Sequence, residues 1–244
     1  MTSNIHYPNA PITEAVLDIQ VTSTVSVETL AKVNEGEPDY PKFDKLNAAS
    51  GAMMFGPDSN TFATATSQPI GYLFRSSDGF HIYQARLNGF TFSRLFPYPH
   101  WSAFSSEGRR HWEKYKAVAQ PSAITRVALR YVNRIDIPLP VNDFADYLRT
   151  VPQISPDLPQ GLSAYFMQLV IPFADIKGGS VINQTIIEPA KPEVVSLVLD
   201  IDVFRTVDIP QNDAELWDLF DELRKKKNEV FEASITEEAR RLFR

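Results

Sequence analysis

One order of elements is spelled out twice along this chain, and that order limits the folds open to it. A long strand-like run opens each half, at 11–21 and again at 124–140. A short helical or looped stretch follows, then several more strand-like runs, then one amphipathic helix. Strand, helix, meander and helix, given twice, imply the α+β class, with an antiparallel sheet and helices packed on one face. We expect a single domain over 1–244 built from two pseudo-repeats, about 10–120 and 123–244, whose strands form a curved sheet.

The runs carry the periods of their classes. Ala15, Leu17, Ile19 and Val21 alternate with Glu14, Val16, Asp18 and Gln20, the mark of a half-buried strand. Residues 27–33 read as a short helix and 36–42 as a polar loop. Strands are expected at 62–67, 69–74, 80–87 and 90–96, with tight turns at Ser76-Ser77-Asp78-Gly79 and Asn88-Gly89 that make a meander. From 100 to 118 the period lengthens: Trp101, Phe104, Trp112 and Tyr115 form one helical stripe. Ser102 or Ser105 offers its N-cap, and Pro121 stops it. The second half predicts a short helix at 143–151, a proline-rich loop at 154–161, and strands at 162–173 and 181–188 around a Gly178-Gly179 turn. A long strand at 194–207 follows. Asp213 is the expected cap of a helix through Leu216, Leu219, Phe220, Leu223, Val230 and Phe231, and a short helix follows Thr236.

A chain of 244 residues buries roughly 70% of its unfolded surface, so no covalent staple is needed; without cysteine none is available. Disulfides, thiolate metal sites and cysteine nucleophiles are excluded together. Residues 1–6 have neither a basic stretch nor an apolar core, which reads as no signal peptide. The most apolar run, 164–174, is broken by Gln168 and Pro172 and is shorter than the about 20 residues a membrane span needs. We therefore expect a cytoplasmic protein with no membrane partner. Net charge is −6 but uneven: −5 over 1–74, +7 over 75–134 and −8 over 135–244. A general nucleic-acid binder would be basic throughout; this pattern permits a local anion site or charge complementarity between the halves.

The most unusual local feature is Arg126, Arg130 and Arg134 on one strand. A spacing of four puts them on one face, about 13 Å apart per step. One reading is a row that binds phosphate, carboxylate or a nucleic-acid backbone. The other, which we favour, is a set of cross-strand ion pairs, with Glu14 and Asp18 of the first lead strand as partners. Asp200 and Asp202 share a strand face and could hold a divalent cation, yet a lone Asp-x-Asp is a weak metal signal. The four histidines, His6, His81, His100 and His111, lack ligand spacing and suit surface or packing roles. Phe90, Phe92, Phe96, Tyr98, Trp101 and Phe104 surround Arg94 and could stack bases, although period two marks Phe90 and Phe92 as sheet core. Arg109 and Arg110 lie on the first amphipathic helix. The run Arg224-Lys225-Lys226-Lys227 spreads around the last long helix and reads as a solvated surface.

Four segments together carry a resemblance. They are Asn9-Ala10-Pro11-Ile12-Thr13-Glu14-Ala15; Phe92-Ser93-Arg94-Leu95-Phe96-Pro97-Tyr98 followed by Trp101; Arg126-Val127-Ala128-Leu129-Arg130-Tyr131-Val132-Asn133-Arg134-Ile135; and Asn228-Glu229-Val230-Phe231-Glu232 with Ile235-Thr236. In that order they resemble a sporadically distributed bacterial family of unknown function, over nearly the whole chain. The resemblance implies a bacterial cytoplasmic protein of patchy, horizontally exchanged occurrence, a distribution compatible with antiviral defence or a toxin–antitoxin partnership. It brings no catalytic residues.

The first expectation is therefore a non-enzymatic binding protein without a cofactor, its partner a protein, with homo-oligomers left open. The alternative is nucleic-acid or anionic-ligand binding through Arg94, Arg109, Arg110, Arg126, Arg130 and Arg134. The third is a metal-dependent phosphoryl or nucleotidyl transferase centred on Asp200 and Asp202.

Overall fold

The computed structural model describes the backbone of residues 7–55 and 61–244, and their side chains except at 49–55 and 61–66. The reading of residues 1–6, His6 among them, lies outside the described residues. The elements run β1 (Ile12–Thr22), α1 (Val27–Leu30), β2 (Lys42–Phe55), β3 (Thr61–Arg75), β4 (His81–Arg86), β5 (Gly89–Leu95), α2 (Trp101–Ala119), β6 (Ala123–Pro138), β7 (Phe166–Phe173), β8 (Gly178–Ile187), β9 (Val194–Arg205), α3 (Asp213–Ser234) and α4 (Glu237–Arg241). The strands hydrogen-bond in the order β2-β3-β4-β5-β1-β6-β9-β8-β7, an antiparallel sheet in an α+β protein, the class expected. By contacts the chain forms two compact units. The larger is Met1–Asp18, Arg94–Pro99 and Ile124–Arg244, and the smaller is Ile19–Ser93 and His100–Ala123.

In the smaller unit, α2 lays its apolar stripe on the meander. Trp112 and Tyr115 stand 6.0 and 5.8 Å from the Phe90 ring, centroid to centroid, and all three are buried. His111 joins the stripe, stacked 4.3 Å from Tyr83. Each fully buried ring or branched side chain here contributes roughly 1.5–3 kcal/mol. The N-cap of α2 is His100, whose Nδ1 accepts from the Ala103 N–H at 3.2 Å, so neither Ser102 nor Ser105 has that role. Gln120 ends the helix in the left-handed conformation, φ 44°, immediately before Pro121. β2 was missed in the sequence, and the two strands expected at 62–74 are one. Pro69 cannot donate to the ladder, and a one-residue register shift between Leu46 and Asn47 absorbs it without breaking β3.

In the larger unit, β6 turns Val127, Leu129, Tyr131, Ile135 and Ile137 to the core, and β9 turns Leu197, Leu199, Ile201 and Val203. α3 packs on β9 with Leu216, Leu219, Phe220 and Leu223 buried. Its N-cap is Asn212, one residue before the expected Asp213, and Asn212 Oδ1 accepts from the Glu215 N–H at 3.0 Å. The helix predicted at 143–151 is only a 3₁₀ turn, Phe144–Asp146, capped by Asp143. Gly178 and Gly179 are not the turn itself. They open β8, after a 3₁₀ turn at Ala174–Ile176 and Lys177 at φ 49°. Gly178 is needed there because a Cβ would sit 1.9 Å from the Phe204 carbonyl oxygen.

Candidate functional site

From Arg126 on, the even-numbered residues of β6 lie on the face away from the buried odd-numbered ones, and this face carries the arginine row. Antiparallel pairing sets β6 against β9 with Arg130 opposite Asp202 and Val132 opposite Asp200. The row and the aspartate pair, read from the sequence as two separate candidates, are therefore one feature. Arg126 donates to Asp202 Oδ2 at 2.6 Å and to Asp18 Oδ2 at 3.2 Å. Arg130 binds Asp200 through Nε and Nη2 at 2.7 and 2.8 Å. Arg134 donates to Asp136 Oδ1 at 2.9 Å and to Ser196 Oγ at 3.1 Å. Of the cross-strand ion pairs favoured from the sequence, Arg126–Asp18 is present as foreseen and Asp200 and Asp202 supply two more, whereas Arg134 pairs with Asp136 of its own strand and, among the described residues, Glu14 pairs with none of the three.

Hydrogen bonds carry this polar face on to β7. Asn183 on β8 donates to Asp200 Oδ2 at 3.0 Å, and Gln168 on β7 donates to Asn183 Oδ1 at 2.8 Å. Asp200 is 4% exposed beneath the half-exposed Arg130, so its carboxylate is satisfied on both oxygens inside the layer. Asp202 is less well served. Burial pushes its carboxyl up, Arg126 opposes this only in part, and neighbouring Asp18 adds to the rise. Its Oδ1 is buried without a partner. Three guanidiniums (Arg126, Arg130, Arg134) thus meet four carboxylates (Asp18, Asp136, Asp200, Asp202) on this face.

The other predicted arginines have different surroundings. Arg94 donates from Nε to the Pro97 carbonyl at 3.0 Å. Arg109 is exposed on α2 in the smaller unit. Arg110, on the same helix, reaches both oxygens of Glu37 at 2.7 Å and Glu107 Oε1 at 2.7 Å. Lys114 also pairs with Glu37. Burial pushes the Glu37 carboxyl up, but the hydrogen bonds from Arg110 and Lys114 outweigh it and hold the group below its ordinary value.

Two buried ionisable groups were not foreseen in these surroundings. His111 is fully buried, with Nε2 3.2 Å from Glu107 Oε1 and 3.0 Å from Arg110 Nη2. Whether the neutral ring donates to Glu107 or accepts from Arg110, its Nδ1 stays buried without a partner. Burial holds the His111 pKa below its usual value, with Glu107 opposing, while Glu107 itself is held far below the carboxylate range, chiefly by its bond to His111. Lys227 is the second. It is 8% exposed, with Nζ 3.8 Å above the Tyr131 ring, and burial brings its pKa down to about 7 with Arg224 assisting. The solvated surface expected of the basic run fails here, because Lys227 stands four residues from both Leu223 and Phe231 on the buried stripe. That spacing was visible in the sequence. Lys226 is also drawn in, bonded to Glu229 at 2.7 Å and paired with Asp175.

Among the described residues no three His, Asp or Glu side chains are grouped to share a metal ion, and no helix is long and apolar enough to cross a membrane. No family model and no curated protein matches the chain.

Proposed function

We propose that this protein is a non-enzymatic interaction module that presents the mixed-charge face of β6 and β9 to a protein partner. One observation carries the reading: every arginine of the row is already engaged by a carboxylate, so the face offers charges of both signs and no uncompensated positive stripe. A nucleic-acid backbone would have to break these pairs and approach four carboxylates, at a cost that counterion release must exceed. A protein surface with complementary alternation meets no such penalty, and patterned charge sets register and partner choice. Asp200 and Asp202 each face an arginine, an arrangement that favours ion pairing over shared ligation of a cation.

The test is affinity purification from the native host with nuclease present, comparing the natural chain with Asp136→Lys. A stoichiometric protein retained by the first and lost by the second is the expected result. Recovery of nuclease-sensitive nucleic acid alone sinks the reading and promotes the alternative, which Arg130 favours by being the most exposed arginine of the row, at 49%. In that case Arg130→Ala would weaken binding and flatten its salt dependence.

Two wider proposals accompany this one. The chain is built from two repeats of one unit, which the strand orders β1-β5-β4-β3-β2 and β6-β9-β8-β7 support, since each lead strand pairs with the last strand of its own meander. Its setting is a bacterial cytoplasm, with a part in antiviral defence or a toxin–antitoxin pair, a proposal resting on the four-segment resemblance.

A further inference from the structure

The terminal strand β7 has β8 on one side and, among the described residues, no strand on the other. An open edge presents unpaired N–H and C=O groups, and natural proteins blunt such edges with charged side chains. β2, the other terminal strand, follows that rule with Lys42, Asp44 and Lys45. β7 reads Phe-Met-Gln-Leu-Val-Ile-Pro-Phe, without a single charge. Phe166 and Val170 are 69% and 64% exposed and stand on one face, two residues to either side of Gln168.

We propose that β7 pairs antiparallel with β7 of a second copy of this chain, about a twofold axis through Gln168. The side-chain pattern is self-complementary only about that residue. Phe166 then faces Val170 of the second copy, and Val170 faces its Phe166. Met167 and Leu169 exchange in the same way on the opposite face. An axis one residue further on would set Gln168 against Val170 of the copy, matching polar with apolar in both symmetry-related pairs.

The backbone agrees with this register. Pro172 has no N–H and so belongs to the outward-facing set, which places the groups of Phe166, Gln168 and Val170 at the open edge. Those are the residues the axis pairs. Gln168 completes the argument: one amide hydrogen goes to Asn183, leaving the other and Oε1 to form a reciprocal pair with Gln168 of the copy. The interface is isologous and closed, as a twofold dimer requires. A single strand pair lies at the small end of specific interfaces, below about 1,200 Å² in total, so association is concentration-dependent. The proposal is independent of the partner assigned to the arginine face.

The chain has no cysteine, which makes a thiol scan unambiguous. A hydrogen-bonded antiparallel pair has its Cα atoms about 5.5 Å apart, within disulfide reach. Gln168→Cys alone should oxidise to a covalent dimer. Phe166→Cys and Val170→Cys should each cross-link poorly alone and efficiently when mixed. Sedimentation velocity of the natural chain should move from monomer toward dimer between low and high micromolar concentration, and Val170→Asp, on an exposed side chain that folding does not need, should remain monomeric. A natural chain that stays monomeric throughout overturns the proposal. So does self-cross-linking that is strongest from Leu169→Cys, or equal from an unrelated exposed site. Loss of the dimer with retention of a captured partner separates this interface from the arginine face.

Discussion

Arg130 reaches past the residue opposite it. Asp202 is its register partner across β6 and β9, yet the guanidinium closes in two nearly parallel bonds on Asp200. This diagonal leaves Asp202 to Arg126, and so ties the row together from Asp18 to Asn183. Removing one partner of such a pair strands the other. Arg130→Ala should cost about 1–3 kcal/mol, less than the 3–5 of a fully buried pair because Arg130 is half exposed. The double variant Arg130→Ala with Asp200→Asn should be less destabilised than the two single losses added together. Urea unfolding of the four proteins gives the coupling; strict additivity would mean the pair contributes nothing.

Lys227 predicts a rise of stability with pH. Its ordinary value of 10.5 falls to about 7 in the folded chain, so between those limits the unfolded state binds more protons. Stability from this group therefore increases as pH climbs from 7, by at most about 1.4 kcal/mol per unit, and levels off near the unfolded value. Lys227→Met should remove that slope and raise the melting temperature at pH 7. Thermal unfolding of both proteins at pH 7 and pH 9 checks it, and equal slopes would show that the amine is not desolvated.

His111 acts with the same sign at lower pH. Its pKa is lowered by burial, so the unfolded chain takes up a proton below about 6.5 that the folded chain refuses. Stability should fall as pH drops through that value and flatten once the folded ring protonates. His111→Gln should be less stable at pH 7 through lost stacking on Tyr83, yet show a shallower decline between pH 7 and pH 5. Parallel declines would place the acid sensitivity elsewhere.

Gly178 tests the β8–β9 junction. Because an added Cβ would lie 1.9 Å from a backbone oxygen, relief requires moving the strand. Gly178→Ala should destabilise by about 2–4 kcal/mol. Hydrogen exchange should locate the loss at the amides of β7, β8 and β9. A variant with unchanged unfolding midpoint would mean that β9 yields at this point without cost.

Local period was enough to find most elements. β1, β4, β5, α2, β6, β9 and α3 were legible because alternation or a 3.6-residue stripe is written within each segment, and the α+β class followed from their order. β2 was not, since Lys42–Phe55 has no sustained alternation and takes its strand form from pairing along β3. The helix expected at 143–151 also yielded to pairing: a cap at Asp143 starts a turn, but Leu148 is buried in an antiparallel bridge to Ile235 that holds the chain extended.

The candidate site divides along the same line. From the sequence alone came the arginines on one strand face, the aspartates on another, and the net charge of each region. That Arg130 is spent on Asp200, 70 residues away, only the sheet register decides, because charge neutralisation is a property of pairs brought together by hydrogen-bonded strands. Likewise the basic run of α3 is plain in the chain, while the desolvation that sets Lys227 apart exists only once Tyr131 lies beneath it. Periodicity is a local property of the chain; proximity and burial arise only from the packing of distant segments.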